Sequence, residues 1–345
     1  MYFNLLKDEL YLMNLQIQYF KTEEINSLIS FRNSEKKLGE KLLISKDSNL
    51  THFNGKFVIL GIPEDIGIKA NKGIGGASST FNTFLKAFVN TQNTANLDGN
   101  EFLLLGHIGT EHLMKKSLNA DINTLRNLTE KLDNLVFPVI QHIVKHGKIP
   151  IVIGGGHNNA FPILKGCSIA LNAPINTINL DAHSDFRIVE GRHSGNGFRY
   201  AYNAKYLKKY AILGLHEAYN SQNIIEELSR NPDFLPIFFE DVFLRNKETW
   251  EEAQCRALTF VKDNKFGVEL DLDSLQNTLS SAWTPVGIST LQTLNYLYTC
   301  GKEKQVCYLH LTEAIAERTD GFKNPLVGKL LSYLVQSFCK GVLEN

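Results

Sequence analysis

Asp181, His183 and Asp185 occupy alternate positions directly after the apolar run Ile175–Leu180. In an extended segment alternate residues share a side, so all three can point into one cavity. Three ligand-capable side chains at such a place are costly to bury unless something engages them, which points to a metal or a catalytic role. Glu269, Asp271 and Asp273 repeat the alternation at the end of Phe266–Leu272, with the leucines facing the other way; alone, this reads equally as a solvated strand end. Gly154-Gly155-Gly156 follows Ile149–Ile153, and its tight turn delivers His157 at a third strand end. A structural histidine after a glycine-rich turn is common, so this segment gains weight only in company. Together the three segments supply four aspartates and two histidines: His157, Asp181, His183, Asp185, Asp271 and Asp273. Mixed carboxylate and imidazole ligands without thiolate suit manganese, with zinc, iron or nickel less favoured and calcium disfavoured by the imidazoles. Four carboxylates balance two divalent ions, and a two-metal site activates water at neutral pH, so hydrolysis is the implied reaction class.

These residues share a rim only if the strands that carry them are parallel neighbours. From residue 57 onward, short apolar runs alternate with longer amphipathic stretches, the pattern of an α/β fold with a parallel sheet flanked by helices. The runs are Phe57–Ile62, Phe102–Gly106, Ile149–Ile153, Ile175–Leu180, Tyr210–Leu215, Leu235–Phe239, Phe266–Leu272 and Val306–Leu311. Each is near-continuously apolar, as a strand buried on both faces should be. Helices are expected over Ile122–Lys145, Asn223–Arg230, Lys247–Lys262, Thr290–Tyr298 and Leu326–Leu343, where apolar residues recur every three or four positions. Residues 1–55 do not follow the alternation and read as an N-terminal extension packed on the sheet's edge, with 56–345 as the catalytic domain. In such sheets ligands bind beyond the carboxyl ends of the strands, where all three segments lie.

Composition narrows the function classes. Thirty-six basic residues balance thirty-six acidic ones, which leaves no net field to hold a nucleic acid or an anionic membrane. Five widely spaced cysteines without a CxxC pair argue against a disulfide framework or a zinc knuckle and suit reduced thiols. No apolar run has the length of a membrane span, and Lys7, Asp8 and Glu9 interrupt the first apolar stretch, so a cytoplasmic protein acting on a small molecule is expected.

The segments at 154–157, 181–185 and 271–273 resemble, in order and spacing, the three metal motifs of the ureohydrolases, the family of arginases, agmatinases and formimidoylglutamases. The resemblance covers roughly residues 57–345 and includes all six ligand positions. It implies a three-layer α/β/α fold with a mostly parallel eight-stranded sheet, assembled into trimers or hexamers. It also implies two Mn2+ per chain, one held by His157, Asp181, Asp185 and Asp271 and the other by Asp181, His183, Asp271 and Asp273. In that family a hydroxide attacks the planar carbon of a guanidinium or amidinium group, and Asp185 would orient it and pass its proton to the leaving amine. Glu313, just after the last expected strand, stands where the family carries the glutamate that pairs with the cationic substrate, in preference to the cap of a surface helix.

Two departures bear on the substrate. The Asp-Pro pair usually found beyond the third motif is replaced by Gln276-Asn277. Where arginases and agmatinases carry a His-Gly pair that shuttles protons, this chain has Ser194-Gly195, which is more similar to formimidoylglutamases. His193 lies one position early and is a candidate replacement for the shuttle, although adjacent residues on an ordered loop face different ways. Arg187 also matches the formimidoylglutamase pattern, and a guanidinium makes a two-point contact with a substrate carboxylate. Arg192, Asn196 and Arg199 are further substrate-binding candidates on the same loop. The expected reaction is hydrolysis of N-formimidoyl-L-glutamate to formamide and L-glutamate, with arginine hydrolysis as the alternative within the class. A mononuclear zinc deacetylase and a non-catalytic scaffold are the rivals outside it.

Overall fold

A computed structural model of the chain describes residues 16–345. Its centre is a ten-stranded sheet: β1 (Ile17–Gln18), β2 (Leu43–Ile44), β3 (Phe57–Gly61), β4 (Phe102–Ile108), β5 (Ile149–Ile153), β6 (Ile175–Leu180), β7 (Leu207–Leu215), β8 (Phe234–Phe238), β9 (Phe266–Asp271) and β10 (Val306–Thr312). The order is β1-β4-β3-β5-β10-β9-β6-β7-β8, with β2 also paired to β4. Every pairing is parallel except that of β1 with β4.

All eight expected strands are present, but the sheet has ten strands rather than eight. The two additional strands are two-residue pairings on the outer edge of β4, too short to leave a periodic signal. Part of the N-terminal stretch therefore joins the sheet, and residues 1–15 lie outside the described residues.

Alternation along the strands divides the core into two layers. Phe57, Ile59, Ile151, Ile178 and Leu270 face one side, where the helices Thr80–Phe88, Trp250–Val261, Thr290–Gly301 and Val327–Leu343 bury their apolar stripes. Val58, Leu60, Val152 and Ile212 face the other, covered by Ile122–Lys145, Ala160–Leu171 and Gly197–Asn203. Local chemistry sets where the helices begin. Asp121 accepts from Thr124 N at 2.7 Å, while Thr249 with Glu252 and Ser289 with Gln292 form reciprocal caps. Among the described residues no helix is long and apolar enough to cross a membrane.

The order matters most at its middle. β5, β10, β9 and β6 lie side by side, so the segments after residues 153, 180, 271 and 312 open onto one stretch of the sheet's carboxyl edge. Segments up to 158 residues apart in the chain thus become neighbours, as Ile153 and Leu311 do across the β5–β10 pairing.

Candidate metal centre

After β5 the backbone turns through Gly154 and Gly155, both at positive φ (92° and 76°). Left-handed geometry favours glycine, and space demands it too: a Cβ on Gly155 would lie 2.3 Å from Asn159 Nδ2 and 2.8 Å from Glu64 Oε1. Glu64, just beyond β3, is wholly buried against this turn. Its Oε1 accepts from Gly156 N (2.9 Å), Asn159 Nδ2 (2.7 Å) and Asn158 Nδ2 (3.2 Å), and its Oε2 accepts from Ile66 N (2.6 Å) and Gly67 N (3.3 Å). Burial pushes its carboxyl above the ordinary range while these donors oppose the shift. Sequence reasoning missed Glu64, although it follows an apolar run at a strand's carboxyl end as the other site residues do.

The turn sets the His157 imidazole fully inside the protein. Nδ1 lies 2.8 Å from Asp185 Oδ2 and 3.2 Å from both Asp181 Oδ2 and Asp271 Oδ2, and Nε2 lies 3.5 Å from Glu269 Oε2. Despite these distances neither nitrogen of the His157 ring makes a hydrogen bond, and the buried Asp273 Oδ1 and Glu313 Oε2 are likewise unpartnered among the described residues. Donor atoms that converge without bonding to one another fit a cation held between them. Two groups of this kind form: His157, Asp181, Asp185 and Asp271, and beside it Asp181, His183 and Asp273. Asp181 belongs to both. Asp271 joins only the first; its Oδ1 accepts from Asp273 N at 2.9 Å, as Asp181 Oδ1 accepts from His183 N at 2.7 Å.

So many carboxylates in one buried cluster require positive charge. Burial, and then the charge of Asp181, pushes Asp185 up to about 6. Burial with the charges of Asp273 and Asp181 likewise raises Asp271. Burial disfavours a charged His157, yet the surrounding carboxylates outweigh it and raise the imidazole well above its ordinary range.

Two residues here adopt left-handed backbone although neither is glycine: Asp185 at φ 46° and Glu313 at φ 62°. Such strain persists where the surroundings over-determine the conformation, and it concentrates at functional sites. Glu313 Oε1 accepts from His157 N at 2.7 Å, and burial pushes its carboxyl up to about 8.

Above the cluster opens a cavity of about 600 Å³. His183, Asp185, Asp271, Asp273 and Glu313 lie on its wall, as do Arg187, Ser194 and Arg199 from the loop after β6. The Tyr219 ring stacks on His183 with centroids 5.3 Å apart. Among the described residues, Arg192, His193 and Asn196 are not on that wall. Arg192 is buried beneath the loop, paired through Nε to Asp133 at 2.8 Å and donating to Asn158 O at 2.7 Å and Asn196 Oδ1 at 3.0 Å. Asn196 in turn accepts from His193 N and donates to Gly191 O, so both residues brace the loop. The His193 side chain is wholly covered, its Nε2 3.3 Å from Glu190, and burial pushes it down to about 4. The geometry thus separates these three from the expected substrate and shuttle positions. Arg199 reaches the cavity but is held by Glu227 at 2.5 and 2.7 Å and by Phe186 O.

A family model described as the arginase family matches residues 55–318. Formimidoylglutamases of Streptococcus pyogenes are 28% identical over 257 residues, covering 72% of this chain and 72% of theirs. Among solved structures, the formimidoylglutamase of Bacillus subtilis superposes with a TM-score of 0.75 at 17% identity, covering 92% of this chain and 95% of its own. The formiminoglutamase of Trypanosoma cruzi with Mn2+2 superposes with a TM-score of 0.69 at 21% identity, covering 90% and 99%. At these identities the structural likeness speaks for a common fold.

Proposed function

The chain belongs to the arginase family, and we propose that it is a manganese-dependent hydrolase that splits N-formimidoyl-L-glutamate into L-glutamate and formamide. The observation that carries this reading is His157 Nδ1, with carboxylate oxygens of three aspartates within 3.2 Å and no hydrogen bond to any of them. His157, Asp181, Asp185 and Asp271 would hold one Mn2+, and Asp181, His183 and Asp273 the other. When bound, such a pair lowers the pKa of water enough to make it a nucleophile at neutral pH.

The chain's own groups supply the rest. Glu313, buried and with Oε2 unpartnered, pairs with the planar N–H donors of the amidinium and orients its carbon. Asp185, on the cavity wall beside the other ligands, takes a proton from the attacking water and returns it to the departing amine. Water adds to the formimidoyl carbon, the bond from that carbon to the glutamate nitrogen breaks, and the nitrogen leaves protonated. Arg187 and Ser194, on the cavity wall, hold the carboxylate end.

We read the protein as a cytoplasmic homo-oligomer of three or six copies; light scattering of the purified protein tests the assembly. Its cysteines are free thiols, four of them buried, which accords with a reducing compartment.

An NMR time course of manganese-loaded protein with N-formimidoyl-L-glutamate, beside an identical tube of L-arginine, tests the reaction. Formamide and glutamate in the first tube alone are expected. Urea in the second would make the protein an arginase, and silence in both would overturn the assignment.

A further inference from the structure

The helix Ile66–Ala70 ends at the cavity mouth in a turn with an unusual residue at its crux. Lys72 N bonds to Lys69 O and Gly73 N to Ile68 O, both at 2.9 Å, the paired bonds that close a helix when the next residue turns left-handed. That residue is ordinarily glycine or asparagine, yet here it is Lys72, at φ 66°, with a glycine immediately after it. The turn places Lys72 on the cavity wall, where its ammonium group makes no hydrogen bond or ion pair among the described residues.

Its neighbour Asn71 joins this turn to the loop after β6. Asn71 Oδ1 accepts from Arg187 Nη1 at 3.2 Å, and Asn71 Nδ2 donates to Ser194 Oγ at 3.3 Å. Gly195 keeps the junction open, since a Cβ there would stand 2.8 Å from Asn71 Nδ2 and 3.0 Å from Arg187 Cδ. Three cationic side chains thus surround the mouth of a cavity whose floor is acidic, but they are not equivalent. Arg199 is neutralised by Glu227. Arg187 has only a long contact of 3.4 Å to Glu190, a carboxylate that Arg126 also engages at 3.3 Å. Arg187 and Lys72 therefore keep their charge for a ligand.

We propose that Lys72 and Arg187 form a two-point reader for a dicarboxylate, each taking one carboxylate of the substrate, with Asn71 setting their separation. This rests on the reading above and deepens it: the cavity selects a substrate with one cationic amidine end and two anionic groups. A monocarboxylate leaves one of the two cations unpaired, and a substrate without carboxylates leaves both, so selectivity comes from unmatched charge as much as from contact.

The test compares manganese-loaded wild type, Lys72→Met, Lys72→Arg and Arg187→Ala on three substrates: N-formimidoyl-L-glutamate, N-formimidoyl-4-aminobutyrate and N-formimidoyl-L-2-aminobutyrate. Lys72→Met should raise KM about tenfold for the glutamate derivative and for one monocarboxylate, leaving kcat and the other KM unchanged. Arg187→Ala should do the same with the monocarboxylates exchanged, and Lys72→Arg should restore most of the loss. A Lys72→Met enzyme with all three KM values unchanged overturns the proposal. In parallel, calorimetry with L-glutamate reads binding without turnover. Wild type that binds L-glutamate about tenfold more tightly than Lys72→Met, yet turns over none of the three compounds, keeps the reader and sinks the reaction. Equal binding by both sinks the reader.

Discussion

His157 Nε2 faces a Glu269 carboxylate whose other engagements are already made: it takes His310 Nδ1 at 2.6 Å and the Tyr308 hydroxyl at 2.8 Å, all inside the core. This carboxylate stands 3.5 Å from Nε2, while Nδ1 faces the three aspartates. Partners of this kind orient a ligand imidazole and raise its basicity, and their loss typically costs about 10–100-fold in metal affinity. Glu269→Gln keeps the volume and removes the charge. Its manganese affinity, measured by competition with a chelator, should fall within that range; an unchanged affinity would remove Glu269 from the site.

Asp181 stands in both candidate ligand groups. Asp181→Asn should therefore reduce bound manganese from two ions per chain to one or none and lower kcat by about 10³-fold, the scale of losing a preorganised charge. Metal content by plasma emission, read beside turnover, checks both. Wild type should also melt higher in manganese and lower in chelator, since a ligand at about 100 times its Kd adds about 2.7 kcal/mol of stability. A fully active, fully loaded Asp181→Asn enzyme would refute the two-ion arrangement.

Arg187 and Arg192 are five residues apart and should fail in opposite ways. Arg187 is half-exposed at the cavity, so Arg187→Ala should raise KM by about tenfold with little change in melting temperature. Arg192 and Asp133 are both buried, and removing one partner of a buried pair costs about 3–5 kcal/mol. Arg192→Ala should unfold at markedly lower denaturant while the folded fraction keeps the wild-type KM. Matching KM increases in the two variants would contradict the division between them.

His142 couples acidity to stability far from the cavity. Its Nε2 donates to Ser48 O at 2.7 Å, and burial pushes the imidazole from 6.5 down to about 4, with His146 and Lys145 adding to the effect. The folded state thus holds the neutral ring more firmly than the unfolded chain does. Its contribution is complete above pH 6.5 and is lost as the pH falls from there to about 4, at most about 3 kcal/mol. His142→Gln should flatten the decline of stability across that window; identical slopes in variant and wild type would assign the acid sensitivity elsewhere.

What could be read from the chain divides along physical lines. Strands buried on both faces must be nearly all apolar, so β3 to β10 stand out as runs. The residues at their carboxyl ends announce the cluster because alternation places Asp181 with Asp185 and Asp271 with Asp273. β1 and β2 left no such trace, since two residues carry no period. The sequence does not show that Arg192, His193 and Asn196 lie off the cavity wall, because a polar loop does not reveal which side chains turn inward. That choice depends on Asp133, some 59 positions away on a helix that folds beneath the loop. Glu64 went unnoticed for a related reason: its five donors come from both its own turn and the one after β5.

The pairing of β1 and β2 with β4 has a consequence for how copies of the chain behave in concentrated solution. β4 is a seven-residue strand of sequence FLLLGHI, and β1 covers residues 107 and 108 while β2 covers 103 and 104. Removed by a protease, residues 16–55 would take both covers with them and leave an apolar strand with unanswered N–H and C=O groups. Such an open seam templates the addition of another strand. The short N-terminal pairings thus act as selvage, keeping one sheet from being stitched to the next.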